Sequence, residues 1–228
     1  MQGHYMERGQ GRLAQDLQQL RLMIEEMGSR AIRQVSDAST ALLQHDNGLA
    51  EEVLRRDVQL DALERDVDAA CIRLLALQQP LAADLRLIVA ALKTSHDLER
   101  IGDYAANIAK RSRALRQIPD WLHRATLGEM ARLLQRNIKE AVRSLVEVDA
   151  AGAWAVCQSD DDVDALYDLA SQAVLEQMSA GRCEPDTGTH LMYVIKGLER
   201  IGDHAVNVAE MAYYAVRGAS APVQRPRR

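Results

Sequence analysis

Residues 98–109 read LERIGDYAANIA, and residues 198–209 read LERIGDHAVNVA. A stretch of this length returning at an offset of 100 marks an internal repeat, and a repeat has to be recognised before any element is assigned. Upstream, Asp57-x-x-x-Asp61-Ala62-Leu63 returns as Asp160-x-x-x-Asp164-Ala165-Leu166, at an offset of 103. The same 103 relates Met27 to Met130, Leu42 to Leu145 and Asp46 to Asp149. The two offsets differ by three, so the second copy has lost three residues between its second and third helices.

Working outward, Leu13, Leu17, Leu20, Ile24, Met27, Ala31, Val35, Ala38 and Leu42 step by threes and fours, the period of an amphipathic helix. Such a stripe has to be buried against neighbouring helices. Breakers fall at Asp46-Asn47-Gly48, Gln79-Pro80, Ile118-Pro119-Asp120, Asp149 to Gly152 and Ala180 to Pro185. They predict helices at about 10–45, 49–78, 81–115, 120–148, 153–179 and 187–217. The expected fold is all-α: two tandem three-helix bundles built from six long antiparallel helices. The first bundle spans 1–117, the second 118–218, and residues 219–228 form a flexible tail.

Composition agrees. The 228 residues are 47% hydrophobic but only 4% aromatic, with no Phe, so Leu, Ile, Val, Ala and Met must build the core. Strong helix formers abound and strand formers are scarce. A net charge of −5 argues against nucleic-acid binding, which needs a basic stripe to neutralise phosphates. The one basic run, Arg225, Arg227 and Arg228, reads as a solvated end. Cys71, Cys157 and Cys183 are odd in number and lack CxxC spacing, which suits reduced thiols in a cytosolic protein. There is no apolar leader and no run near the ~20 residues a bilayer span requires. The expected location is the cytoplasm.

Glu99 and Asp103, with Asn107 beyond, lie along one helix face, and Glu199, Asp203 and Asn207 repeat the pattern. Asp57 and Asp61 share a face extended by Glu64 and Asp68; Asp160 and Asp164 share another, with Asp168 beyond. Like charges at i, i+4 destabilise a helix by about 0.2–0.5 kcal/mol per pair, so the acids need either a cation or ample solvent. The hairpin helps to decide. The pairs at 57/61 and 99/103 centre on 59 and 101, whose midpoint is Pro80, the turn itself. In the second copy the centres are 162 and 201, and the midpoint falls beside Gly181. Four carboxylates are therefore expected at one height on adjacent helices in each copy. An all-oxygen set suits Mg, Mn or Fe, or Zn with water completing its sphere. The competing reading is a solvated acidic face, neutralised by Arg100 and Arg200 in ion pairs of little worth.

Leu85, Ile88 and Leu92 run along nearly the same line as Glu99 and Asp103, which suggests that neighbouring helices partly cover that line. Gly102 and Gly202, at matching places in helical stretches, point to close approach of a neighbouring helix or of a ligand, tight packing being the first expectation. His96 and His204 do not recur; Lys196 and Tyr104 stand in their places, and both histidines read as packed or surface residues rather than ligands.

The doubled LERIGD motifs, each with Asn four residues after the Asp, resemble the signature of the PhoU family. So do the LLALQQP turn at 74–80 and the DLRLIVAALK stretch at 84–93. The resemblance runs from the first helix to about residue 217. It implies a non-enzymatic cytoplasmic regulator linking the ATPase subunit of a phosphate ABC transporter to a sensor histidine kinase, and repressing the phosphate-starvation response when phosphate is plentiful. It also implies homodimers, docking on membrane proteins only at the periphery, and multinuclear iron or zinc clusters held by paired E(D)xxxD motifs. Carried onto this chain, one cluster uses Asp57, Asp61, Glu99 and Asp103, and the other Asp160, Asp164, Glu199 and Asp203. The second copy departs at 182–188, where RCEPDTG replaces the QQP turn.

Two other functions compete. A di-metal carboxylate enzyme of the ferritin type needs Glu-x-x-His on two helices, and that spacing occurs nowhere in the chain. A structural helical adaptor without metal fits the helices equally well and leaves the acids solvated.

Overall fold

The computed structural model describes residues 2–115, 118–122 and 124–222, without the side chains of residues 2–10, 124–125 and 160. Seven helical segments follow in order: α1 Gln2–Gln44, α2 Asn47–Gln78, α3 Ala82–Ser112, α4 Arg124–Glu147, α5 Ala150–Gln158, α6 Asp160–Ser179 and α7 Pro185–Arg217. No strand occurs among the described residues.

The corners explain why the copies fold alike. α1 and α4 each end on a residue in the left-handed region, His45 (φ 57°) and Val148 (φ 62°). An aspartate then caps the next helix, satisfying amides that would otherwise lack partners. Asp46 accepts from the Leu49 amide at 2.9 Å, and Asp149 from the Ala151 and Gly152 amides at 3.0 Å each. At the second corner Gln79 (φ 45°) closes α2 ahead of Pro80, and Gly181 (φ 67°) does the same after α6.

α5 and α6 together form the second rod of the second copy, interrupted at Ser159. There the Ser159 amide bonds the Val156 carbonyl at 3.0 Å, a tight i, i+3 link that ends α5. Asp160, Asp161 and Asp162 open α6, where the positive end of the helix dipole favours acids. α4 begins at Arg124, later than the pattern suggested. The Leu122 amide bonds the Pro119 carbonyl at 3.0 Å, and a turn that buries Ile118 and Leu122 takes up those residues. The Ile118 amide also donates to His45 Nε2 at 3.2 Å, which ties this link to the first corner. Residues 223–228, with Arg225, Arg227 and Arg228, lie outside the described residues, so the expected tail is described only to residue 222.

The predicted stripe on α1 faces inward: Leu17, Leu20, Ile24, Met27, Ala31, Val35, Ala38 and Leu42 are all buried. α1, α2 and α3 pack on one another, and α4 packs with α5, α6 and α7. α3 also lies against α7 and α1 against α4, so one continuous core runs through both copies. On the α3–α7 seam Asp97, nearly buried, accepts from Asn207 Nδ2 at 3.0 Å and meets His204 Nδ1 at 2.8 Å. No helix among the described residues is long and apolar enough to cross a membrane.

Candidate metal centre

The first acidic cluster depends on a close approach of two helices. A Cβ on Gly102 of α3 would stand 2.7 Å from Leu60 Cδ1 and 3.6 Å from Asp57 Oδ1. Only glycine lets α2 come this near, and the contact fixes Asp57 level with the Glu99–Asp103 turn. Gln34, buried on α1, locks the same point. Its Nε2 donates to Asp57 Oδ1 at 2.7 Å, with the Gly102 carbonyl at 3.4 Å. Two turns on, Glu64 Oε1 meets His96 Nδ1 at 3.1 Å. These pairs are equidistant from Pro80, so the antiparallel register expected from the sequence is the one observed.

The acids sense one another. Burial, followed by the charge of Asp103, pushes the Glu99 carboxyl up to about 7; Glu64 and Asp61 add to the shift, and Arg100 opposes it. Burial raises Asp57 too, with Asp103 and Asp61 adding and the Gln34 hydrogen bond opposing. Asp57, Asp61, Glu64, Glu99 and Asp103 therefore form one electrostatic group. The cation facing it is Arg100, 3.0 Å from Asp103 Oδ2 and 3.5 Å from Glu99 Oε2. Glu99 Oε2 exposes less than 1 Å² and has no hydrogen-bond partner. A buried carboxylate oxygen without a hydrogen bond, beside four other acids and one guanidinium, is costly as it stands and is what a cation ligand needs. The donor set fits a divalent metal.

The second cluster keeps the plan and changes the chemistry. A Cβ on Gly202 would meet Val163 Cγ1 at 3.2 Å and Leu134 Cδ2 at 3.4 Å, again at the height set by the Gly181 turn. Glu199 is covered to the same degree as Glu99, with 14% of its side chain exposed, and its Oε2 is likewise buried without a hydrogen bond. Its other oxygen is taken: Lys196 Nζ donates to Glu199 Oε1 at 2.6 Å. Arg200 reaches Asp203 at 3.1 Å, and Asp164 is half-buried on α6. The side chain of Asp160 lies outside the described residues.

Of the flanking residues, Ile88 is buried while Leu85 is 40% exposed, so the line leading to Glu99 is covered from its second turn onward. Asn107 is exposed and Asn207 belongs to the seam, so neither joins its cluster. His204 packs on the seam as well, 5.6 Å from the Tyr104 ring. Two contributors were missed in the sequence. Gln34 could have been found as a polar residue beside Val35 in an apolar stripe, with the amide of Asn137 at offset 103. The contact of His96 with Glu64 joins two helices, so no single-helix pattern shows it, although the exposure of His96 is as expected.

Comparison with known proteins gives a consistent answer. The model of the PhoU domain matches residues 24–112 and again 127–212. A phosphate-specific transport system accessory protein PhoU homolog from Caulobacter vibrioides is 36% identical over 93% of both chains. The corresponding homolog from Pseudomonas aeruginosa is 36% identical over 89% of this chain and 84% of its own length. The crystal structure of PhoU from Pseudomonas aeruginosa superposes with a TM-score of 0.85, covering 90% of this chain and 99% of that one. The phosphate transport system regulatory protein PhoU from Streptococcus pneumoniae gives 0.85 at 26% identity, covering 92% and 100%.

Proposed function

Because the chain belongs to the PhoU family, we propose that it is an accessory regulator of a phosphate-specific transport system. The observation that carries this reading is the match of both repeats, over nearly the full length, to proteins named for that role. In the finer reading the protein acts in the cytoplasm without catalysis, as a homodimer. It links the ATPase subunit of the transporter to a sensor histidine kinase and holds the starvation response off at high phosphate. A helical molecule with no membrane-spanning helix among its described residues suits docking on membrane-bound partners from one side.

The carboxylates enter as a metal platform. Asp57, Asp61, Glu99 and Asp103 in the first repeat, and Asp160, Asp164, Glu199 and Asp203 in the second, hold divalent metal between the second and third helices. The buried Oε2 atoms of Glu99 and Glu199, which accept no hydrogen bond, support this assignment. A bound cation supplies positive charge there and stiffens each hairpin. The regulatory reading is tested in a deletion strain at high phosphate, with alkaline phosphatase as the reporter. Constitutive expression, reversed by the intact gene, is the expected outcome; normal repression in the deletion strain refutes the assignment. Rapid oxygen-dependent turnover of ferrous iron by the purified protein would instead favour the di-metal enzyme.

A further inference from the structure

The two clusters occupy matching places, yet two of their residues change together. Glu64, His96 and Glu99 in the first repeat become Tyr167, Lys196 and Glu199 in the second, by the same offsets of 103 and 100. In the first repeat one ligand atom from each of the three lies within 4.8 Å of the others. In the second, Lys196 Nζ sits 2.6 Å from Glu199 Oε1 and 5.2 Å from the centre of the Tyr167 ring. The ammonium thus lies over the residue that replaces Glu64. A positive charge fills, in one repeat, a place that the other leaves to two potential ligands.

We propose that the two sites are unequal: the first repeat binds a borderline transition metal, of the zinc or ferrous class, through Glu64, His96 and Glu99, and fills before the second, where Lys196 already supplies the cation. The proposal rests on the metal reading given above. Donors around a tetrahedral ion at about 2.0–2.2 Å are about 3.4 Å apart; Glu64 Oε1 and His96 Nδ1 already stand 3.1 Å apart, so what remains is for that pair to draw in on Glu99. His96 can make that move, since 57% of its side chain is exposed. Glu99 supplies the fixed point: its Oε2 is buried without a hydrogen bond, and the half-exposed Arg100 guanidinium stands 3.5 Å from it. An imidazole in the set selects zinc or ferrous iron over magnesium, which prefers oxygen alone. In the second repeat a metal would first have to displace the Lys196 ammonium from Glu199.

The test uses the full chain, purified without a histidine tag, stripped with chelator and titrated with zinc, or with cobalt(II) as a spectroscopic probe. The variants are H96Q, E64Q, the pair E99Q/D103N, the pair E199Q/D203N, and the double exchange Y167E/K196H. H96Q is expected to weaken the tightest zinc site at least about tenfold and to shift the visible cobalt bands, since even indirect partners of a metal are worth 10–100-fold. E199Q/D203N should leave that site intact, and Y167E/K196H should add a second site of similar affinity. Unchanged affinity and bands in H96Q, with binding lost in E99Q/D103N, overturn this proposal and leave the carboxylate platform standing. Equal loss from E99Q/D103N and E199Q/D203N also overturns it. Failure of the wild type to take up zinc or cobalt overturns this proposal, while the reporter assay judges the regulatory reading separately.

Discussion

In the first repeat five acids gather around one guanidinium, Arg100, with a histidine at the edge. In the second, Glu199 and Asp203 share two cations, Lys196 and Arg200. The backbone that presents these groups follows one plan in both, with a left-handed corner, an aspartate cap, an antiparallel hairpin and a glycine facing the neighbouring helix; the second copy adds the break at Ser159. The difference lies in the side chains at positions 64 and 96 and their counterparts at 167 and 196. A duplicated scaffold has kept its packing while its electrostatics diverged, so fold and site chemistry must be argued separately here.

The sharpest way to break this comparison is to remove each acidic pair in turn. Saturating zinc should raise the stability of the wild type by about 2.7 kcal/mol at a free concentration a hundred times its dissociation constant. E99Q/D103N should lose most of that gain, and E199Q/D203N should lose little of it. Thermal melts with and without zinc decide this. If the acids are only a solvated face, both variants should match or slightly exceed the wild type, because like-charge repulsion is relieved.

The two glycines sharpen the comparison through packing alone. Gly102→Ala would place a methyl 2.7 Å from Leu60 Cδ1, and Leu60 is 1% exposed, with no solvent to turn into. Overpacking of this kind typically costs about 1–3 kcal/mol, against which the helix gains about 0.5–1 from replacing glycine. A net loss of about 1 kcal/mol is expected, with weaker zinc binding as Asp57 is pushed from Glu99. Gly202→Ala meets its neighbours at 3.2 Å and 3.4 Å, so its net effect should be close to zero. Urea midpoints for both variants are the measurement, and equal losses would show that the two hairpins are equally tight.

Most of this scaffold was legible. The repeat offset gave the duplication, the three-and-four stepping gave α1, and the Pro80 and Gly181 midpoints gave the level of the acids. These are local signals that packing reinforces. The break at Ser159 has no glycine or proline to mark it, and Asp160, the first of three aspartates after it, reads as a ligand rather than as a helix start. The exposed position expected for His96 is the one observed, with 57% of its side chain open to solvent; its contact with Glu64 is the part the sequence hid. A singular residue looks incidental in a repeat, whereas its exchange for Lys196 and the exchange of Glu64 for Tyr167 become meaningful once the pairs are seen to touch. Gln34 depends on a contact between α1 and α3 that no single helix pattern contains.

Acidity offers a third, smaller contrast. Glu99 titrates near 7 in the folded metal-free protein against 4.5 ordinarily, so between these values the folded chain holds a proton that the unfolded chain has released. Stability therefore falls as pH rises through that window and recovers on acidification, the raised pKa of Asp57 acting in the same direction. With chelator present, the urea midpoint of the wild type should drop between pH 5 and pH 8 more than that of E99Q. Parallel pH profiles for the two would mean that Glu99 carries no such penalty.

The smallest expected effect concerns the cations themselves, in the metal-free protein. Lys196→Met removes the ammonium from Glu199 but keeps a long chain over the Tyr167 ring. The Lys196 side chain is 42% exposed, so the pair itself is worth little, about 0.2–1 kcal/mol. The loss should fall toward the upper end because Glu199 has no second close partner: Oε2 is orphaned and Arg200 stands 3.9 Å away. His96→Met at the matching place removes a 3.1 Å contact from a side chain that is 57% exposed, and such surface changes usually stay within about 0.5 kcal/mol. Zinc should then separate the variants in the opposite sense. It should stabilise Lys196→Met more than the wild type, since the second cluster has lost its resident cation, and His96→Met less than the wild type. Urea titrations of the two variants with and without zinc measure all four values. Equal responses to zinc would mean that Lys196 does not stand where a metal could.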